Sequence, residues 1–146
     1  MKPDYLYHGS QGLYEILKPR QANDGTALGS QCAIYACTNF HEVIPFALPI
    51  RWYPDNPTGR KSFSCDSNGT FIEYGSINPN GVGYVYKISA EHFEQIDSRQ
   101  WISSKEIIPA EVTEIRVMDY WHTITFSDEA PKINMELYPD PELYKR

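Results

Sequence analysis

Apolar residues along this chain fall mostly in short runs with strand rather than helix character. Tyr5-Leu6-Tyr7-His8 is a mostly aromatic run that stops at Gly9-Ser10, which predicts a strand ending in a turn. Leu13, Ile16 and Leu17 have i, i+3, i+4 spacing and predict one or two helical turns, closed by Pro19. From Gln21 to Ser30 the chain is polar and Gly-rich, a surface loop. Ala33 to Thr38 is apolar and β-prone, a buried strand, after which Thr38 or Asn39 can cap a helix. Phe40, Val43, Ile44, Ala47 and Leu48 then form an amphipathic stripe, with Pro45 inside it to shorten or kink the helix.

The second half follows the same pattern. Residues 51–81 are rich in Pro, Gly, Asn and Asp, with short strand candidates at Trp52-Tyr53, Ser62-Phe63-Ser64 and Phe71 to Tyr74. Asn68-Gly69 is a strong hairpin signal. Tyr84 to Ile88, Trp101 to Ser103 and Val112 to Val117 read as strands, and Ala90 to Ile96 as a helical turn. The tail after Phe126 carries Pro131, Pro139 and Pro141 and reads as an extended arm. Strands outnumber helices and no regular βαβ alternation appears. An α+β fold with two small, mostly antiparallel sheets follows, arranged as one domain over 1–126 and an arm over 127–146.

Composition narrows the chemistry. The chain has 146 residues, 41% of them apolar, enough for a core without disulfide staples. Its net charge of −6 argues against broad binding to nucleic acid or to an anionic membrane, and the best basic cluster, Arg51, Arg60 and Lys61, reads as a solvated loop. Cys32, Cys37 and Cys65 lack CxxC spacing and read as buried reduced thiols, so no metal site is expected. His41, His92 and His122 have no partner at metal-ligand spacing. No apolar run approaches the ~18 residues of a membrane helix. These features point to a soluble, cytoplasmic protein.

An ordered set of short pieces carries the functional signal. Tyr5-Leu6-Tyr7-His8-Gly9-Ser10 comes first. Ile34-Tyr35-Ala36 follows, then a helix with Phe46 eleven residues after Tyr35. Gln100-Trp101-Ile102-Ser103 and Ile107-Ile108-Pro109 come later. Together they resemble the His-Tyr-Glu class of the ADP-ribosyltransferase superfamily, which includes diphtheria-toxin-like enzymes and poly(ADP-ribose) polymerases. The resemblance spans residues 5–117 through about a dozen positions. It implies a split pair of small β-sheets around a pocket for NAD. His8 would hydrogen-bond the adenine-side ribose, and Gly9 would pair through its main chain with the nicotinamide carboxamide. Ser10 would buttress the turn, while Tyr35 and Phe46 would sandwich the nicotinamide ring, a contact contributing about 0.5–1.5 kcal/mol beyond burial. NAD would be the donor, without a metal, and a protein acceptor would complete a transfer reaction.

The chain departs from the class at one position. Where the family has its catalytic Glu, this sequence has Gln100. Glutamine can bond a ribose hydroxyl but carries no charge to stabilise an oxocarbenium-like transition state, a loss of about 2.7–4 kcal/mol. The readings left open are a weak mono-ADP-ribosyltransferase or NAD glycohydrolase that recruits Glu106 or Glu111, an NAD- or ADP-ribose-binding module without turnover, and a protein-interaction domain on the same scaffold.

Overall fold

The computed structural model describes residues 2–21, 32–52, 63–66, 68–127 and 130–144. The chain is a mixed α+β protein that divides into two compact units. One is built from Met1–Ala47 with Gly83–Glu114, the other from Leu48–Val82 with Ile115–Arg146. No helix among the described residues is long and apolar enough to cross a membrane.

The first unit rests on a sheet whose strands run β11(Glu111–Arg116)-β8(Val82–Ser89)-β1(Tyr5–Ser10)-β3(Cys32–Cys37)-β10(Gln100–Ser103)-β9(Glu94–Gln95), with β2(Arg20–Gln21) also beside β3. β1 pairs antiparallel with β8 along its full length, from Tyr5↔Ser89 to Ser10↔Tyr84. β10 pairs antiparallel with β3, from Gln100↔Cys37 to Ser103↔Ile34. Side chains alternate across the pleat. Leu6, Ile34, Ala36, Tyr86, Ile88 and Trp101 therefore share one face, where Leu17, Phe93 and Ile107 join them in a buried cluster. Each such apolar side chain removed from water contributes about 1.5–3 kcal/mol.

The opposite face takes a short helical segment, a 3₁₀ turn over Phe40–Val43 continuing into α1(Ile44–Ala47). The Asn39 Oδ1 accepts from the His41 N–H at 2.9 Å and starts the turn. Pro45 is accommodated because it falls in the first turn of α1, where an N–H has no intrahelical partner. Val43, Ile44 and Ala47 are buried. Two glycines make the seat for this segment. A Cβ at Gly83 would overlap the Ala47 carbonyl, and one at Gly9 would run into the Val43 carbonyl and lie 3.0 Å from the Ala47 nitrogen.

Three expectations change here. Residues 13–17 form no helix. Leu17 instead makes an isolated antiparallel bridge with Ile107, with N–H···O distances of 2.8 and 2.9 Å. Three apolar residues before a proline do not offset helix nucleation, whereas the bridge satisfies two backbone groups and buries Leu17. Leu13 and Ile16 are left exposed. Residues 90–96 likewise give a turn and β9 instead of a helical turn. The cysteines form no disulfide and are not buried: Cys32 and Cys65 are exposed and Cys37 is half-buried. The polar loop expected from Gln21 to Ser30 lies, apart from Gln21, outside the described residues.

In the second unit, β5(Phe63–Asp66) and β6(Gly69–Ile72) form the expected hairpin, from Phe63↔Ile72 to Asp66↔Gly69. β12(Ile124–Phe126) adds to β6 in parallel, and β4(Ile50–Trp52) pairs antiparallel with β7(Gly75–Ile77). Gly69 adopts φ +142, a conformation L side chains rarely take, with its Cα against the Thr123 carbonyl. α2(Val117–Tyr120) runs into a 3₁₀ turn at Trp121–Thr123.

The C-terminal segment is not an extended arm. It forms α3(Ala130–Leu137) and a 3₁₀ turn at Pro141–Tyr144. Pro131 falls in the first turn of α3 and Pro139 follows its end, so the prolines mark its limits without breaking it. Asn134, fully buried, accepts from the Ile77 N–H at 2.7 Å and donates to the Tyr144 hydroxyl at 2.5 Å. Trp121, Phe126 and Tyr144 pack with ring centroids 5.7 to 6.1 Å apart, and the Trp121 indole donates to the Leu143 carbonyl at 2.7 Å.

Two substitutions test these anchors by urea unfolding. Gly83→Ala forces α1 off its seat and should cost about 1–3 kcal/mol. Asn134→Leu orphans the buried Ile77 N–H and should cost about 1–3 kcal/mol. Unfolding midpoints unchanged from the parent would show that neither contact holds the fold.

Candidate functional site

β1 and β3 register at a single pair, Tyr7↔Cys37. β2 meets β3 further along, at Arg20↔Ala33 and Gln21↔Cys32. Between these points the edge of β3 from Ile34 to Ala36 has no registered strand partner on that side among the described residues. A cleft of about 60 Å³ opens there, lined by His8, Ser10, Tyr14, Lys18, Arg20 and Ile34 among others.

His8 is the fixed point of this cleft. Its Nδ1 donates to the Tyr35 carbonyl oxygen at 2.6 Å. A carbonyl only accepts, so the neutral ring carries its proton on Nδ1 and a lone pair on Nε2. Nε2 has no partner among the described residues. Burial pulls the His8 pKa below its ordinary 6.5; the bond to Tyr35 opposes this, and the Arg20 charge adds to it. The ring is thus neutral at pH 7 and presents an acceptor.

The rest of the lining is held from the sheet. The Tyr86 hydroxyl accepts from the Tyr14 N–H at 2.8 Å and donates to the Gly12 carbonyl at 2.6 Å, which ties down the segment after β1. The Ser10 hydroxyl accepts from the Gly12 N–H at 3.3 Å. The Arg20 guanidinium lies over the Tyr14 ring, 4.5 Å from its centroid. Neither Lys18 nor Arg20 has a carboxylate partner among the described residues.

The residues singled out from sequence divide between the two faces of the sheet. His8 and Ser10 alternate with Gly9 along β1 and line the cleft on the face of Leu6. Tyr7 pairs with Cys37 and Cys37 with Gln100, so Gly9, Tyr35 and Gln100 share the opposite face. Phe46 is brought to Gly9: its Cβ lies 3.2 Å from where a Gly9 Cβ would stand, and its side chain is 52% exposed. The bare Cα of Gly9 is covered by the chain's own Val43 and Ala47 backbone instead of standing open for a ring. Tyr35 and Gln100 are half-buried.

The two carboxylates considered for recruitment lie elsewhere. Glu106 is exposed in the turn after β10 and does not line the cleft. Glu111 begins β11, with β8, β1 and β3 between that strand and β10.

Sequence reasoning missed Tyr14, Lys18 and Arg20. The signal was present as two cations flanking Pro19, an i, i+2 spacing that aligns side chains on extended backbone. The helical reading of Leu13, Ile16 and Leu17 masked it. Of the basic cluster weighed instead, Arg51 is exposed on β4, while Arg60 and Lys61 lie outside the described residues. A larger hollow of about 170 Å³ lies in the second unit near Asp66, Thr70 and Thr123. Asp66 there already accepts from the Asn68 N–H at 2.7 Å, and no residue singled out for chemistry lines it.

Comparison with protein-family models, with curated proteins and with solved structures finds no match to this chain.

The depressed His8 pKa has a measurable sign. Below pH 6.5 the unfolded chain takes up a proton that the folded chain resists, so this residue's contribution to stability is present above pH 6.5 and is lost as pH falls toward the folded value. The urea midpoint of the parent should therefore drop between pH 7.5 and 5.5. His8→Asn, whose amide keeps a donor for the Tyr35 carbonyl, should show a shallower drop. Parallel slopes for the two proteins would refute a neutral imidazole held against the Tyr35 carbonyl.

Proposed function

We propose that this chain is an NAD-binding ADP-ribosyltransferase-like protein that holds the dinucleotide at the gap between β1 and β3. One observation carries the reading. The three strands bearing the His-Gly-Ser, Ile-Tyr-Ala and Gln-Trp-Ile-Ser pieces are consecutive neighbours in one sheet, and the ladder between the first two gives out beside His8.

The chemistry of the lining agrees with that reading. A neutral imidazole with a free Nε2 lone pair suits a ribose hydroxyl, which donates. The main-chain edge of β1 beyond Tyr7, which has no registered partner on the β3 side among the described residues, offers N–H and C=O groups of the kind a carboxamide takes. This is the role proposed for Gly9, whose Cα already seats α1. Tyr35, Phe46 and Gln100 stand across the sheet from His8, so on this reading the dinucleotide passes through the gap, with its ribose at His8 on one face and its nicotinamide end at Tyr35, Phe46 and Gln100 on the other. Ser10 would steady the turn.

Turnover on this reading is slow. Cleavage of the nicotinamide–ribose bond builds positive charge on the ribose, and Gln100 offers a dipole where a carboxylate would offer a charge. The expected deficit is about a hundred- to a thousandfold in rate. Neither Glu106, exposed beyond β10, nor Glu111, at the far strand, makes good that deficit in the arrangement described. The same observation favours a second reading, a module that binds NAD or ADP-ribose without cleaving it.

A thermal-shift series with NAD, ADP-ribose, nicotinamide and ATP tests both. NAD and ADP-ribose at about a hundredfold their Kd should stabilise by about 2.7 kcal/mol, which is several degrees in Tm. His8→Ala and Tyr35→Ala should remove the shift. Chromatographic assay of nicotinamide release should show slow turnover that Gln100→Glu accelerates. Binding with no release, before and after that substitution, selects the module. A folded protein that none of the four compounds stabilises defeats both readings.

A further inference from the structure

We infer that Lys18 and Arg20 form a phosphate anchor at the cleft, so that the protein selects phosphorylated sugars and nucleotides over the corresponding unphosphorylated compounds. The inference rests on the cleft between β1 and β3 and not on the ligand being NAD.

Four observations lead to it. First, the two cations come from one short segment, Lys18-Pro19-Arg20. Extended backbone sends side chains i and i+2 to the same side, the proline limits the freedom of that backbone, and both side chains line the cleft. Second, neither has a carboxylate partner among the described residues. The chain carries 19 acidic residues against 13 basic ones, yet no acidic residue among the described ones lines this cleft. The local charge is thus opposite in sign to that of the chain as a whole, and nothing described neutralises it.

Third, Arg20 is held in place. Its guanidinium stacks on Tyr14, and the Tyr14 backbone is bonded to the Tyr86 hydroxyl, which rises from the sheet. A fork fixed in this way meets a phosphate with less ordering cost than a free side chain. Fourth, the cleft also offers a neutral acceptor, the His8 Nε2, and a hydroxyl, Ser10. A group that places phosphate oxygens against two cations and a hydroxyl against a lone pair is a sugar phosphate. At about 60 Å³ the cleft takes a phosphate and part of a sugar, leaving a base outside.

Titration calorimetry with ribose 5-phosphate, ribose, ADP-ribose, NAD and inorganic pyrophosphate tests this. Ribose 5-phosphate and ADP-ribose should bind at least a hundredfold more tightly than ribose. Arg20→Gln and Lys18→Gln, both at exposed positions, should each weaken the phosphorylated ligands about ten- to a hundredfold. Binding should weaken with added NaCl, and less steeply in Lys18→Gln. Equal affinity for ribose and ribose 5-phosphate overturns the anchor. So does an affinity for phosphorylated ligands that both substitutions leave unchanged, or the absence of binding by every phosphorylated probe. The two proposals fail separately. Arg20-dependent binding of ribose 5-phosphate or pyrophosphate without binding of NAD keeps the anchor and sinks the dinucleotide reading. NAD binding indifferent to Lys18 and Arg20 does the reverse.

Discussion

A backbone carbonyl at a break in a β-ladder must find a donor or face a desolvation cost, and the Tyr35 carbonyl finds the His8 imidazole. Much of the first unit's character follows from that bond. It replaces the main-chain pairing that β1 and β3 no longer make, so the strands can separate without leaving that acceptor unmet. It fixes the imidazole tautomer, which turns a residue usually read as a titrating base into a neutral acceptor. It also holds the ring at the place where Arg20 arrives on β2. The gap, the protonation state and the position of the guanidinium are linked through one contact.

The strands with clear period-two or continuous apolar patterns were legible from sequence. β3, β8, β10 and β11 fall where alternation puts them, and the β5–β6 hairpin turns at Asn68-Gly69. What was not legible depended on distant partners. Leu17 reads as part of a helical stripe until Ile107, far along the chain, is available to bridge it. The tail reads as an arm because three prolines dominate its local pattern. Asn134, a polar residue in that tail, is fully buried because Ile77 and Tyr144 meet both ends of its amide.

The candidate site was legible to a similar degree. His8 and Ser10 were singled out and do line the cleft, whereas Lys18 and Arg20 were overlooked because charge was weighed as clusters rather than as paired positions on extended chain. Gly9 was singled out for its lack of a side chain. Its nearest contacts show what that lack serves locally, the close approach of the Val43–Ala47 backbone. Gly83 on the adjacent strand does the same, and no motif marked it. A glycine required for helix packing and one required for ligand approach look alike in a single sequence, since both reduce to a missing Cβ.

The interleaving of the two units bears on how the chain reaches its fold. β1 is synthesised well before β8, with which it makes its long ladder from Tyr5↔Ser89 to Ser10↔Tyr84, and β3 waits for β10 at Gln100–Ser103. At ordinary translation rates the delay is on the order of ten seconds. During that time the β8 edge of β1 and the β10 edge of β3 stay unpaired, the condition under which strands of different nascent chains associate. Synthesis of this chain should therefore depend on chaperone occupancy, and slow translation through residues 48–82 would lengthen the vulnerable interval.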